Sequence, residues 1–278
     1  MEVTVGLFLV LFALAFICEF IDSSLGMGYG TILSPTLIIV GFDPLVAIPA
    51  VLLSQAFGGF TASVFHHQFR NASFHPGSKD FKIVIVITSF GILATIIAAV
   101  ISIQLPKLVL KTYIGLLVLT LGIIVLMNLK FNFSWKKIVS VGIISAFNKG
   151  LSGGGFGPVV TSGQILSGQG GKGAIAATTL SEAPICITSF LTYLVGRSIL
   201  EIESPVLETP VSQFLGVMFS EHMFHWELML ALLLGSIFVA PFGAYTTRIM
   251  KAEKLHTILG ILITVLGMIQ DYLENKKN

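Results

Sequence analysis

Glu19, Asp22, Lys149 and Glu182 each interrupt an otherwise apolar stretch. At membrane depth an ionisable side chain costs about 2.5–3.5 kcal/mol on insertion scales, so such groups read as functional. Lys149 is the one cation of the four. It can meet an anionic substrate directly, or it can lock the fold by pairing with Asp22 or Glu182. Glu19, Asp22 and Glu182 are candidates for coupling or gating, and a carboxyl group of this kind can carry a proton. The other chemistry belongs to two glycine-rich stretches, DSSLGMGYG from Asp22 to Gly30 and NKGLSGGGFGP from Asn148 to Pro158.

Each stretch precedes a short apolar run, Thr31–Val40 or Phe156–Leu166. The N–H groups at a helix start have no partner inside the helix, and with the helix dipole they favour an anion. Glycine lets backbone approach a ligand closely. Gly28, Tyr29 and Gly30 in the first stretch, and Gly155, Phe156 and Gly157 in the second, are therefore expected to contact substrate. Lys149 and Ser152 join them, with Ser54 and Ser181 supplying hydroxyls from the runs that follow. Close helix packing through small residues is the structural alternative, and a hydroxyl bonded to its own helix is the alternative for each serine.

These residues need elements to hold them. The chain has 278 residues, 54% hydrophobic and only 11% charged, with a mean hydropathy of +0.93. Soluble domains carry about 25% charged residues, so the fold class is all-α and integral to the membrane. Apolar runs at Val3–Ile21, Leu45–Phe65, Phe81–Ile103, Leu108–Leu129, Gly173–Val195, Trp226–Thr246 and Leu255–Tyr272 are long enough to cross as helices. Thr31–Val40, Ile138–Phe147 and Phe156–Leu166 are shorter and read as half-helices. A net charge of +2 gives no reason to expect a nucleic-acid partner. Neither a cofactor nor a metal ligand set is expected; Cys18 and Cys186 read as reduced thiols in helix packing, and His66, His67, His75, His222 and His225 as solvated loop residues. MEVTVGLFLVLF lacks a basic leader, so the first run is expected to be a retained span.

The chain repeats itself. A shift of 127 positions lays Gly26, Gly28 and Gly30 on Gly153, Gly155 and Gly157, and Tyr29 on Phe156. The match runs on without a gap through Gly41 on Gly168 and Ser54 on Ser181. It also pairs Asp22 with Lys149 and Gln55 with Glu182. At a slightly longer shift Tyr113–Ile124 meets Ile258–Ile269. One membrane domain over 1–278 therefore divides into repeat one, 1–129, and repeat two, 130–278.

Lysine and arginine in short loops mark the cytoplasmic side. They mark the loop with Arg70, Lys79 and Lys82, the connection with Lys130, Lys136 and Lys137, and the turn with Arg248, Lys251 and Lys254. Ser198–Glu227 holds five glutamates with no lysine or arginine and should face out. Counting crossings between these loops gives each repeat a broken-helix hairpin plus three transmembrane helices. The two repeats are then inverted, with both termini outside. Inverted repeats with broken helices are the architecture of many secondary transporters, with substrate at the midplane between repeats.

At the two glycine clusters the chain resembles the sulfite exporter TauE/SafE family of membrane transporters. The first copy, GMGYGTILSPTLIIVGFDPLVAIPAVLLS from Gly26 to Ser54, carries the glycines, Pro35, and the turn residues Gly41 and Pro44. The second, GGGFGPVVTSGQILSGQGGKGAIAATTLS, keeps Pro158 and Gly168 but has Gly171 in place of the turn proline and polar Gln164 and Ser167 in its half-helix. The resemblance implies an exporter of sulfite, organosulfonate or a related sulfur-containing oxyanion in the cell (inner) membrane. Protons are a possible coupling ion, and lipid surrounds the protein. Two other readings stand beside it: an anion channel, and an intramembrane serine protease using Ser152, since Gly150–Gly153 reads GLSG. The protease reading needs a histidine base at membrane depth.

Overall fold

A computed structural model describes residues 3–127, 135–166, 169–202, 209–220 and 225–249, together with Met268. The described residues are helical, with no strand among them. The helices are α1 (Val5–Leu25), α2 (Tyr29–Val40), α3 (Pro44–Gln68), α4 (Lys79–Gln104), α5 (Lys107–Met127), α6 (Trp135–Ser152), α7 (Gly157–Leu166), α8 (Gly171–Glu201), α9 (Val211–Met218) and α10 (Trp226–Ile249). Five of them, α1, α3, α4, α8 and α10, are long and apolar enough to cross a membrane. Outward faces of α4 and α10 expose Ile85, Leu93, Ile97, Phe238 and Phe242, an apolar surface that water would not tolerate over this extent. The protein is a multi-pass membrane protein.

Both short helices after the glycines exist, and α2 begins two residues before the apolar run at Thr31. The apolar run Ile138–Phe147 lies within a longer helix that, like α2, is not among the spans. Helix α6 has 18 residues and continues through Asn148, Lys149 and Gly150 to Ser152. Polar bonds carry it past the apolar run. Ser152 Oγ donates to the Asn148 carbonyl at 2.7 Å, the Tyr113 hydroxyl to Asn148 Oδ1 at 2.6 Å, and the Tyr193 hydroxyl to the Gly150 carbonyl at 2.9 Å. Similarly, α8 runs to Glu201, beyond Val195. The acidic loop between α8 and α10 contains α9. Apart from Met268, Leu255–Tyr272, with its repeat match at Ile258–Ile269, lies outside the described residues, as do Lys130, Lys251, Lys254, Gly168 and His222.

His66 corrects the reading of the histidines as solvated. It is fully buried in the last turn of α3, and its Nδ1 lies 2.9 Å from Asn71 Nδ2, which also donates to the Ala244 carbonyl at 2.8 Å. The helix extends past the apolar run, and α10 covers its end.

The helix pairings come in matched sets. Helix α1 packs chiefly on α10, and α6 on α4; α3 packs on α10, and α8 on α4; α3 and α8 pack on each other. Exchanging α1, α3 and α4 for α6, α8 and α10 leaves this scheme unchanged. A shift of 145 positions carries every buried residue of α4, from Ile83 to Ser102, onto a buried residue of α10, from Leu228 to Thr247. The contacts repeat too: Ser102 Oγ donates to the Leu151 carbonyl at 3.1 Å and Thr247 Oγ1 to the Ser24 carbonyl at 2.9 Å.

Loop contacts gather at two ends. At one, Lys107 pairs with Asp43 and Arg197 Nη1 donates to the Leu45 carbonyl at 2.6 Å. This brings the α2–α3 turn, the α4–α5 turn and the end of α8 together. At the other, Gln169 Nε2 donates to Asp80 Oδ1 at 3.0 Å, and Lys172 Nζ donates to the Arg248 carbonyl. The α7–α8 turn, the start of α4 and the end of α10 meet there.

Candidate functional site

The breaks are built alike. Gly26 ends α1 with φ +69° and its N–H bonded to the Asp22 carbonyl at 2.6 Å. Gly153 follows α6 with φ +75° and its N–H bonded to the Lys149 carbonyl at 2.8 Å. Left-handed backbone of this kind favours glycine. The two breaks then cross at the centre of the fold, backbone against backbone. A Cβ at Gly30 would collide with the Gly153 carbonyl oxygen, and one at Gly157 would meet the Gly26 carbonyl oxygen at 2.5 Å. Hydrogen bonds tie the crossing: Gly155 N–H donates to Thr31 Oγ1 at 3.1 Å, and Thr161 Oγ1 donates to the Gly26 carbonyl at 2.7 Å.

One polar chain runs through this crossing. The Lys149 ammonium, fully buried, pairs with Glu182 Oε1 at 2.8 Å and donates to Gln55 Oε1. Gln55 Nε2 donates to Asp22 Oδ2 at 3.3 Å, and Asp22 Oδ1 accepts the Tyr29 N–H at 3.1 Å. The order is Glu182, Lys149, Gln55, Asp22 and the first N–H of α2. Each repeat contributes two side chains, from equivalent positions. The Lys149 ammonium also lies 2.8 Å from where a Cβ on Gly30 would stand, against the first turn of α2.

A cation beside a helix N-terminus is opposed by the dipole, so Lys149 is held there by the carboxylates around it. Replacing such a pair by apolar residues is often neutral, whereas removing one member costs about 3–5 kcal/mol because a buried charge is left uncompensated. The arrangement concentrates positive potential at one place: the α2 start and an ammonium. The groups now meeting it are two carboxylates.

The other expected site residues fall as follows. Gly28, Gly30, Gly155 and Gly157 lie in the crossing. The Tyr29 hydroxyl, buried, donates to Ser54 Oγ at 2.7 Å, while Ser54 Oγ donates back to the Ala50 carbonyl at 2.9 Å. Phe156 is buried in a second apolar cluster with Ile83, Ile87 and Ile185. Ser181 Oγ bonds its own helix at the Thr178 carbonyl, 2.9 Å away, and no described bond joins it to the chain of charges. Ser152 accepts the Gly154 N–H at 3.2 Å besides donating to Asn148, so it caps the end of α6. Glu19 is buried one turn before Asp22, in a separate notch on α1.

Gln55 was missed as a site residue, although its equivalence to Glu182 under the shift of 127 was the signal for it. Thr31, which with Thr161 joins the two breaks, carried no sequence signal beyond its position beside the glycines. Cys18 and Cys186 are buried and free, and among the described residues no cluster of three or more metal-ligating side chains occurs.

No solved structure matches the chain. A curated relative, the "Probable membrane transporter protein YtnM" of Bacillus subtilis (strain 168), is 25% identical over 284 residues, covering 96% of this chain and 85% of that protein. Residues 11–269 match the family described as Sulfite exporter TauE/SafE. With the match spanning nearly the whole chain, the protein belongs to the sulfite exporter TauE/SafE family of membrane transporters.

Proposed function

We propose that the protein is a secondary transporter that moves a small sulfur-containing oxyanion, sulfite or an organosulfonate, out across the cell (inner) membrane. One observation carries this reading: the Lys149 ammonium, paired with Glu182 and bonded to Gln55, lies against the first turn of α2, whose opening N–H is taken by Asp22. The Asp22 carboxylate on the Tyr29 N–H, and the Glu182 carboxylate on the Lys149 ammonium, stand in the places that substrate oxygens would take. Binding exchanges them for the substrate, with Gly28, Gly30, Gly155 and Gly157 allowing close approach and the Tyr29–Ser54 hydroxyl pair beside it.

The repeats are inverted in this account, and access alternates between the two membrane faces by one repeat moving on the other. The matched helix pairings support it. So do the hairpin turns, α2–α3 at one end of the molecule and α7–α8 at the other. The basic loops support a cytoplasmic Asp80 end, with both termini outside.

Counterflow in proteoliposomes tests the reading. Unlabelled sulfite or a short sulfonate loaded inside drives transient accumulation of labelled sulfite added outside, and internal chloride does not. Current that rises with anion concentration without saturation or exchange would make the protein a channel instead.

A further inference from the structure

We propose that Glu19 is a proton-binding site: its carboxyl group holds a proton in a notch between α1, α3 and α10 while the repeats are closed on each other. When they part, the O–H bond breaks and the proton passes to water. The coupling step rests on the transport reading above; the occupancy of the notch by a proton stands apart from it.

The two copies show that the notch is made for the acid. A Cβ on Gly58 would lie 2.9 Å from Glu19 Cδ, from Glu19 Oε2 and from Ser236 Cβ. The equivalent trio is Ala146, Ile185 and Gly91. There the Ile185 side chain fills the space, its Cδ1 2.5 Å and the Ala146 Cβ 3.3 Å from where a Cβ on Gly91 would be. So one copy sets an isoleucine against alanine and glycine, and the other a glutamate against glycine and serine. The second copy shows that hydrophobic side chains suffice to close this junction, so the acid is not needed for packing.

Glu19 is 0% exposed, and neither of its carboxyl oxygens has a hydrogen-bond partner. An unpaired carboxylate in such surroundings is strongly disfavoured, and a neutral carboxyl is not. A metal cation would require several oxygen ligands, but the Ser236 hydroxyl is already bonded to the Ser54 and Leu233 carbonyls at 2.9 and 3.0 Å. The titratable groups around Glu19 are Cys18 and Asp22 on α1, Tyr29 on α2, Lys149 on α6, and Glu182 and Cys186 on α8. His66 of α3 meets the Ser23 backbone, a turn further on, and α10 contributes Ser236. The one cation, Lys149, is engaged by Glu182 and Gln55. Ser236 and Glu19 both flank Gly58, and the Ser236 hydroxyl donates to the Ser54 carbonyl, while the Ser54 hydroxyl accepts from that of Tyr29. Movement at the start of α2 therefore reaches the wall of the notch.

Infrared difference spectra of the full chain in lipid nanodiscs read the proton directly. The wild type shows a protonated-carboxyl band that Glu19→Gln removes; persistence of the same band in Glu19→Gln overturns the proposal whatever the flux. Because a single variant can misfold, the combination Glu19→Ala, Gly58→Ile and Ser236→Gly, which imports the arrangement of the second copy, is measured as well and must lose the same band. In proteoliposomes, a pH gradient accelerates wild-type sulfite uptake, and in both variants uptake no longer responds to the gradient. An unchanged response in the variants, or acceleration by a sodium gradient in place of the pH gradient, overturns the coupling. No sulfite flux with the band intact overturns the transport reading and leaves the proton site standing.

Discussion

In the first copy of the broken hairpin the Asp22 carboxylate accepts the N–H of Tyr29, the opening residue of α2. In the second, the equivalent position carries Lys149, whose ammonium reaches Glu182 and Gln55. The backbones are the same, from the left-handed glycines that end α1 and follow α6 to the crossing of Gly30 with Gly153 and Gly157 with Gly26. Shape is thus duplicated while charge is not. Two equal acids at the centre would repel an anion, and two lysines would hold one too firmly to release it. On the proposed function, one of each gives a cation that a substrate can reach once the internal carboxylates yield.

The largest expected effect comes from removing that charge difference. Lys149→Ala leaves the Glu182 carboxylate buried without its partner, at a cost of about 3–5 kcal/mol, and abolishes sulfite flux. Changing Lys149 and Glu182 together to methionine restores the melting temperature, since the pair is replaced rather than broken, and still abolishes flux. Recovery of flux in the double variant would make the pair purely structural.

The crossing supplies the next effect, and here the copies should respond alike. Gly30→Ala drives a methyl group into the Gly153 carbonyl, and Gly157→Ala drives one into that of Gly26. Overpacking of this kind costs about 1–3 kcal/mol or more, so both variants lower the detergent melting temperature by similar amounts. If one glycine tolerates alanine freely, the two breaks are not equivalent.

How much of this was legible beforehand follows from the forces concerned. The glycine breaks, the spans and the repeat are local or periodic features, and they stand in the sequence. The pairing of Lys149 with Glu182 was an open alternative there, because it joins α6 to α8 across a crossing that only packing defines. Gln55 was visible as the equivalent of Glu182 but, being uncharged, drew no attention. The length of α6 was misjudged because Asn148, Gly150 and Ser152 look like loop residues; bonds from Tyr113 and Tyr193 on other helices hold them helical. The same limit applied to His66, whose burial depends on Asn71 and α10.

Smaller effects sharpen the comparison further. Tyr29→Phe makes the first copy resemble the second at Phe156 and removes the bond to Ser54, costing about 1 kcal/mol; the melting temperature reads it. An unchanged melting temperature would show that the hydroxyl pair adds no stability. Smallest of all is the hairpin turn. In the first copy Asp43 caps α3 through the Leu45 N–H at 2.9 Å, with Pro44 in the first turn. In the second, Gly170 and Gly171 occupy these places without a side-chain cap, and a Cβ at either meets nothing within 4 Å. Gly170→Asp with Gly171→Pro should stabilise by roughly 0.5–1 kcal/mol, from the cap and from a less free unfolded chain. A lower melting temperature would mean that this turn needs its glycines.

The central claim is that an oxyanion takes the place of carboxylates at Lys149. Its most direct test is the melting temperature of the purified protein with sulfite or with chloride, measured for wild type and for the Lys149→Met, Glu182→Met double variant. The account predicts a larger rise with sulfite than with chloride in the wild type, and no sulfite-specific rise in the folded double variant. An equal sulfite-specific rise in both proteins would contradict it.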